Sequence, residues 1–123
     1  ICLGMQLLFD RSAEAGGVDC LGMIDGEITA METGDLPRVH MGWNQLNCEK
    51  TDPLLDDVSS GDYAYFVHSY SAPVSDYTLA SSAYGDSFSA VVRRGNVYGC
   101  QFHPERSGAT GAKILANFLK VSI

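Results

Sequence analysis

Val97-Tyr98-Gly99-Cys100-Gln101-Phe102-His103-Pro104-Glu105 is the stretch of sequence that determines how the last part of the chain is organised. Its aromatic and β-branched residues predict a strand over Val97 to His103. Pro104 has no backbone N–H to donate and holds the preceding residue in an extended conformation, so we expect the strand to end there. The Gly95-Asn96 pair before it is typical of a tight turn and predicts a hairpin with an earlier strand.

Other elements are predicted on both sides of this strand. After it, apolar residues recur on one face of a helix, which predicts a C-terminal helix packed on a sheet. The apolar stripe consists of Ile114, Leu115, Phe118 and Leu119. The side that should face solvent consists of Lys113, Asn117 and Lys120. Before the strand, the pattern predicts two more strands, Thr78 to Tyr84 and Phe88 to Arg93.

The first half of the chain changes from a helical to an extended pattern. Apolar residues from Leu3 to about Ala15 are spaced as in a helix, and Gly16-Gly17 should end it. Short apolar runs broken by glycine and proline predict mostly β structure over Gly22 to Cys48. One helical turn is predicted within Asp52 to Val58, and a buried strand over Tyr63 to Tyr70.

The composition predicts a single domain over residues 1–123 and argues against several classes of function. A chain of 123 residues with 46% hydrophobic and 19% charged residues can bury a moderate core, and no apolar run is long enough to cross a bilayer. A formal net charge of −7 would repel a nucleic-acid backbone. The four cysteines are widely spaced and lack zinc-site spacing, which favours reduced thiols in the cytoplasm over a metal site or disulfides.

Cys2 is of interest because it comes immediately before the first predicted helix. Backbone N–H groups point outward at a helix N-terminus, and the field there favours a thiolate. The same geometry would offer the N–H of Leu3 to an oxygen that develops negative charge, as in an oxyanion hole. Taken alone, a cysteine in this position is more often a small buried residue.

The last predicted strand carries a second candidate group. Gln101 and His103 share the face opposite Phe102, and beyond the proline the chain turns, so Glu105 should return toward the imidazole and accept from one ring nitrogen. That contact would fix the tautomer and leave the other nitrogen to take a proton from a thiol. Without Cys2, the same residues would be a surface histidine beside a proline turn.

The two segments Cys2–Leu8 and Gln101–Glu105 together resemble those of class I glutamine amidotransferases, and the resemblance covers essentially the whole chain. Met5 stands where many relatives of other pathways carry histidine. The runs His40-Met41-Gly42-Trp43-Asn44 and Phe66-Val67-His68-Ser69-Tyr70 look like those of the glutaminase subunit of imidazole glycerol phosphate synthase. The fold implied is α/β, namely the C-terminal part of a flavodoxin-like open sheet with flanking helices and hairpins.

The resemblance also implies roles for individual residues. Cys2 would be the nucleophile, His103 the acid and base, Glu105 its orienting partner and Leu3 an oxyanion donor. Substrate binding would fall to Gln6, Glu14, Ser69 and Tyr70. Of these, Gln6 is one helical turn past the nucleophile and Glu14 is at the far end of the predicted helix. The other two end a strand, where an open α/β sheet normally binds its ligands.

The reaction implied is hydrolysis of L-glutamine to glutamate and ammonia. Ammonia would pass to a (β/α)8-barrel cyclase subunit, the heterodimer partner, for imidazole glycerol phosphate synthesis in histidine biosynthesis. His40, Met41, Trp43 and Arg106 would lie at that interface. No cofactor, metal, nucleic acid or membrane is implied.

The resemblance predicts that the family's upstream strands and oxyanion loop are absent, and that this chain alone is inactive and marginally stable. Two alternatives remain open. One is the glutaminase subunit of another pathway, such as anthranilate synthase, or a γ-glutamyl peptidase. The other is a catalytically incomplete fragment that binds a partner and whose Cys2 is inert.

Overall fold

The computed structural model describes residues 1–121, which form short helices and many short strands. Within this range the helices are α1 (Leu3–Gln6) and α2 (Gly108–Lys120). The strands are β1 (Phe9–Ser12), β2 (Val18–Asp19), β3 (Ile24–Ala30), β4 (His40–Gln45), β5 (Asn47–Cys48), β6 (Tyr63–His68), β7 (Tyr70–Ser71), β8 (Thr78–Tyr84), β9 (Asp86–Arg94) and β10 (Val97–Cys100). The 3-10 turns are Glu14–Gly16, Pro53–Leu55 and Pro104–Arg106.

The described strands form three open sheets. The strand orders are β2-β1-β3-β7, β10-β9-β8-β5 and β4-β6. The pair β1 and β3 is parallel, and the other described pairs are antiparallel. The α/β class that we predicted is confirmed, since the described residues combine open sheets and hairpins with a few helices.

Two apolar clusters fill the interior. The larger lies between the β8–β9 hairpin, β6 and α2, and includes Phe66, Phe88 and Phe102. The smaller lies between α1, β1 and β3, and includes Met5 and Phe9. The site described below lies where the elements of these two clusters meet.

The predicted helix from Leu3 to about Ala15 is wrong beyond its first turn. Helix α1 ends at Gln6, and the chain then extends as β1. Phe9 is in register with Ile24 of β3, so sheet pairing overrides the helical spacing. Leu3 and Leu7 are 57% and 44% exposed, so the apolar repeat does not mark a buried helical face.

The last strand is shorter than its prediction of Val97 to His103. Strand β10 ends at Cys100 because the chain changes partners there. The N–H of Gln101 still bonds to Ala90 of β9, but the N–H of His103 donates to the carbonyl oxygen of Tyr65 in β6 at 3.0 Å. His103 therefore bridges two sheets.

The hairpin strands are found as predicted, and the Tyr63–Tyr70 strand is only partly confirmed. Strand β8 matches Thr78 to Tyr84, and β9 extends the prediction at both ends. Strand β6 ends at His68 and alternates between exposed or half-buried and buried residues, so only one of its faces is buried. After a bend at Ser69, β7 joins another sheet by pairing with β3.

Helix α2 is present, but its predicted apolar stripe is only partly covered. Ile114 is buried, whereas Leu115, Phe118 and Leu119 are exposed. The side chain of Asn117, predicted to face solvent, donates to the carbonyl oxygens of Leu54 and Asp56. Among residues 1–121, no helix has the length and apolar character needed to cross a membrane.

Candidate functional site

Cys2 lies at a sharp bend immediately before α1. Its φ of 53° is in the left-handed region, where a residue with a side chain is strained. The backbone N–H of Cys2 donates to the carbonyl oxygen of Cys100 at the end of β10, at 2.8 Å. At the first position of α1, the N–H of Leu3 has no intrahelical acceptor. The bend therefore projects the thiol and leaves a free backbone donor beside it.

Two glutamine side chains form the floor of the site next to the thiol. Gln6 Nε2 donates to the carbonyl oxygen of Tyr70 at 2.9 Å and to Oε1 of Gln101 at 3.0 Å. The Cys2 sulfur lies 3.8 Å from Gln101 Nε2 and 3.8 Å from the carbonyl oxygen of Val67. Since both amide hydrogens of Gln6 are used, the group that it can offer a ligand is its carbonyl oxygen.

A cleft of about 240 Å³ opens above this floor, and the predicted substrate residues line it. The lining residues are Cys2, Leu3, Gln6, Glu14, Val67, His68, Ser69 and Tyr70. The structure thus brings all four predicted substrate residues next to the predicted nucleophile.

Glu14 reaches this cleft by a different path from the one predicted. It is the first residue of a 3-10 turn that follows β1, rather than part of a long helix. Its backbone N–H is held by the hydroxyl of Ser12 at 3.2 Å. Within residues 1–121 no cationic side chain pairs with the Glu14 carboxylate, so that carboxylate is available to a cationic group in the cleft.

His103 and Glu105 are brought together as predicted. Nδ1 of His103 is 3.3 Å from a carboxylate oxygen of Glu105, across the turn that Pro104 begins. A carboxylate at this position accepts a hydrogen bond from Nδ1–H, which leaves Nε2 free to exchange a proton.

Sequence reasoning missed Ser107, which fixes the position of this turn. Its side chain is almost fully buried. The hydroxyl accepts from the N–H of Tyr65 at 2.9 Å and donates to the carbonyl oxygen of His103 at 2.7 Å. No motif marks a serine four residues after a histidine, so only the pairing of β6 with this turn reveals its role.

Cys2 and His103 are not joined by a hydrogen bond in the described part of the chain. The described contacts of the thiol are with Val67 and Gln101, and that of the imidazole is with Glu105. The backbone of Cys2 is nevertheless hydrogen-bonded to Cys100, at the end of β10 and shortly before His103 in the sequence. Catalytic hydrogen bonds are often long until a substrate binds.

Three of the four predicted interface residues lie on one surface. Met41 and Trp43 share the outward face of β4 and are 66% and 55% exposed. The Trp43 ring packs edge-on against Tyr65 at 5.8 Å, and the Arg106 guanidinium lies 4.5 Å above the same tyrosine ring. Trp43, the half-buried Tyr65 and Arg106 therefore form a continuous cluster at the surface.

The fourth, His40, does not lie on that surface. Its side chain is 3% exposed and points inward from β4, because residues of a strand alternate between faces. It stacks between the rings of Phe66 and Tyr84, with centroids 4.8 Å and 4.3 Å away. A direct side-chain contact with a partner is excluded by this burial.

The environment of the cysteines differs sharply. Cys100 is buried, and burial raises the pKa of its thiol to about 12. The thiol of Cys2 borders the open cleft. All four thiols are free, so no disulfide links them.

Comparison with known proteins places this geometry in a family. A family model described as glutamine amidotransferase class-I matches residues 1–121. The chain belongs to this family. The predicted resemblance is thereby confirmed.

Several curated relatives of this amidotransferase chain share a name. Imidazole glycerol phosphate synthase subunit HisH of Vibrio parahaemolyticus is 52% identical over 126 residues, and that of Escherichia coli K12 is 52% identical over 121. The corresponding subunit of Vibrio cholerae is 50% identical over 126 residues. Each match covers 98% of this chain, and the chain spans 62% of the length of each relative.

Proposed function

We propose that this chain hydrolyses L-glutamine to glutamate and ammonia as part of an imidazole glycerol phosphate synthase. The observation that carries the proposal is one cleft lined by a strained cysteine, a buried glutamine, an unpaired carboxylate and the end of β6. The relatives are named as subunits of imidazole glycerol phosphate synthase, which supports the assignment to that enzyme, and the proposal places the reaction in histidine biosynthesis.

The proposed reaction begins with attack by the Cys2 thiolate on the side-chain amide carbon of glutamine. A sulfur–carbon bond forms, and the carbonyl oxygen takes up negative charge beside the N–H of Leu3. His103 then protonates the departing nitrogen, so that the carbon–nitrogen bond breaks and ammonia leaves. Glu105 stabilises the imidazolium through Nδ1.

Water completes the proposed cycle. His103, now neutral, takes a proton from water as its oxygen attacks the thioester carbon. The carbon–sulfur bond breaks, glutamate leaves and Cys2 returns as a thiolate. No cofactor or metal takes part in this scheme.

Substrate binding is assigned to the residues that line the cleft. The unpaired carboxylate of Glu14 suits the α-ammonium of glutamine, and the oxygen of Gln6 suits an N–H donor of the ligand. Ser69 lies at the bend between β6 and β7, and Tyr70 begins β7; both line the cleft beside Cys2, at a strand end where an open α/β sheet normally binds its ligands.

The proposed partner is a (β/α)8-barrel cyclase in a cytoplasmic heterodimer that consumes the ammonia. The surface of Met41, Trp43, Tyr65 and Arg106 supports it, because exposed aromatic and arginine side chains are enriched at protein interfaces. His40 is withdrawn from this interface, since its side chain is buried.

The test is covalent labelling by a chloroketone or diazo analogue of glutamine, mapped by mass spectrometry. We expect saturable labelling at Cys2, with L-glutamine protecting it. Iodoacetamide, which does not mimic glutamine, serves as the control reagent. A Cys2 that reacts with iodoacetamide but is no more reactive than Cys20 or Cys48 toward the analogue would falsify the assignment.

A further inference from the structure

Four polar residues form a continuous hydrogen-bonded chain that ends at the cleft. Asn44 Nδ2 is 3.1 Å from Nε2 of His40, and Nδ1 of His40 is 2.9 Å from Nε2 of His68. Nδ1 of His68 is 3.0 Å from the carbonyl oxygen of Tyr70. That carbonyl oxygen also accepts from Gln6, so the chain ends on a group that lines the cleft.

The chain has only one consistent direction. The amide nitrogen of Asn44 can only donate, so Nε2 of His40 must accept and Nδ1 of His40 must carry the proton. By the same rule, Nε2 of His68 accepts and its Nδ1 donates to the carbonyl oxygen of Tyr70. Both rings are therefore neutral, with the proton on Nδ1.

The surroundings favour these neutral forms. His40 and His68 are directly opposite each other on β4 and β6 and are 3% and 7% exposed. Phe66 and Tyr84 stack on His40, and Phe88 packs against His68 with ring centroids 4.9 Å apart. Burial lowers the pKa of both imidazoles, that of His40 to about 4.

An apolar core would hold these strands together without two buried imidazoles, which carry a desolvation cost unless their nitrogens are satisfied. This arrangement instead directs a hydrogen-bond donor at the carbonyl oxygen of Tyr70, just after the bend at Ser69. That oxygen is in turn bonded to Gln6, which contacts Gln101 beside the thiol.

We propose that Asn44, His40 and His68 are positioning residues that hold the Tyr70 carbonyl and Gln6 in the geometry that binds glutamine. The proposal rests on the glutaminase function proposed above. It assigns His68 the direct contact with the cleft wall, and Asn44 and His40 the task of fixing the tautomer of His68.

Nitrogen-15 NMR of the imidazole rings tests the direction of the chain without any variant. At pH 7.5 we expect His40 and His68 to be neutral with the proton on Nδ1. A His68 that carries its proton on Nε2, or is doubly protonated at this pH, would overturn the proposal, because its Nδ1 could not then play the assigned part.

Labelling of Cys2 by the glutamine chloroketone tests the positioning role, because its concentration dependence separates binding from reaction. We expect His68→Leu to raise the half-saturating concentration about tenfold and to change the maximal rate by less than about twofold. His68→Asn places an amide N–H near the lost Nδ1 and should restore about half of that loss on a logarithmic scale.

Phe88→Leu is the matched control, because it disturbs the same apolar contact without removing a hydrogen bond. It should leave the half-saturating concentration unchanged while lowering the melting temperature. Equal half-saturation in His68→Leu and wild type would overturn the positioning role and leave the proposed function standing. A wild-type Cys2 that iodoacetamide modifies but the chloroketone does not would overturn the proposed function, and the positioning role with it.

Discussion

His40 and His68 are directly opposite each other on β4 and β6, with Nδ1 of one ring 2.9 Å from Nε2 of the other. Two imidazoles at this separation cannot both be protonated without strong repulsion, and their aromatic neighbours exclude water. Burial accordingly lowers both pKa values. The pair therefore makes the stability of the folded protein sensitive to mild acid.

Stability should fall as the pH drops below about 6.5. In the unfolded chain His40 has a pKa of 6.5, and in the folded protein it is about 4. Between these values the unfolded state binds more protons, so the stabilisation is complete above pH 6.5 and is lost progressively toward pH 4. The loss should be on the order of 2–3 kcal/mol, measured by urea unfolding at several pH values.

His40→Phe tests the origin of this slope. The variant keeps a ring between Phe66 and Tyr84 but removes the titrating group. Between pH 7 and pH 5.5, where carboxylates remain largely ionised, its stability should change less than that of wild type. An unchanged slope would assign the acid sensitivity to other groups.

Glu105→Gln should slow the reaction of Cys2 with glutamine analogues without destabilising the fold. The substitution keeps the shape but removes the charge that holds Nδ1 of His103 at 3.3 Å. The maximal labelling rate should fall by about 10²-fold, within the range attributed to acid–base assistance. The free energy of unfolding should change by less than about 0.5 kcal/mol, since Glu105 is exposed.

Glu32→Gln provides the matched change at an exposed position away from the site. It should leave both the labelling rate and the stability at wild-type values. Similar rates for the two variants would remove Glu105 from the proposed mechanism.

Ser107→Ala should lower both stability and reactivity. The buried hydroxyl accepts from Tyr65 N–H and donates to the His103 carbonyl oxygen. That oxygen also accepts from the N–H of Arg106, so loss of the hydroxyl leaves the N–H of Tyr65 without its partner. We expect a loss of about 1–3 kcal/mol in unfolding free energy. Ser87→Ala, at an exposed position on β9, should be nearly neutral; an equally small effect at Ser107 would show that the turn is held by other contacts.

Gly111 and Gly4 should respond in opposite ways to alanine. A Cβ on Gly111 would lie within 2 Å of the carbonyl oxygen of Pro104. Helix α2 can therefore pack this closely on the His103 turn only because residue 111 has no side chain. Gly111→Ala should cost roughly 1–3 kcal/mol. At Gly4 in α1 a Cβ meets nothing within 4 Å, and Gly4→Ala should stabilise by up to about 1 kcal/mol. Thermal melts of the two variants make the comparison, and equal melting temperatures would contradict it.

Sequence patterns predicted the hairpin strands better than the path of the chain between them. Gly95-Asn96 and the β-rich runs around it locate the hairpin of β9 and β10, because local turn chemistry and side-chain preference act together there. The helix predicted beyond Gln6 failed because Phe9 pairs with Ile24, a contact that helical spacing does not encode. Glu14 nevertheless lines the cleft, since a strand followed by a 3-10 turn returns it there.

The sequence could not predict the buried polar contacts either, because they also join residues that are far apart in the chain. His40 belongs to a run that is broken by Gly42 and also suits an exposed loop, and only its register with His68 shows that it points inward. Ser107 carries no signature of its own, and its bond to Tyr65 joins residues more than forty positions apart.

Trp43→Ala should weaken binding of a (β/α)8-barrel cyclase while leaving the fold intact. The Trp43 ring is more than half exposed and packs on Tyr65 beside Arg106, so its removal exposes no core but deletes a large apolar contact. Truncation of a central interface aromatic costs about 2 kcal/mol or more, a rise in dissociation constant of roughly thirtyfold, measurable by calorimetry. Leu21→Ala, which truncates another exposed apolar residue elsewhere, should bind normally; equal affinity of both variants would move the interface away from β4.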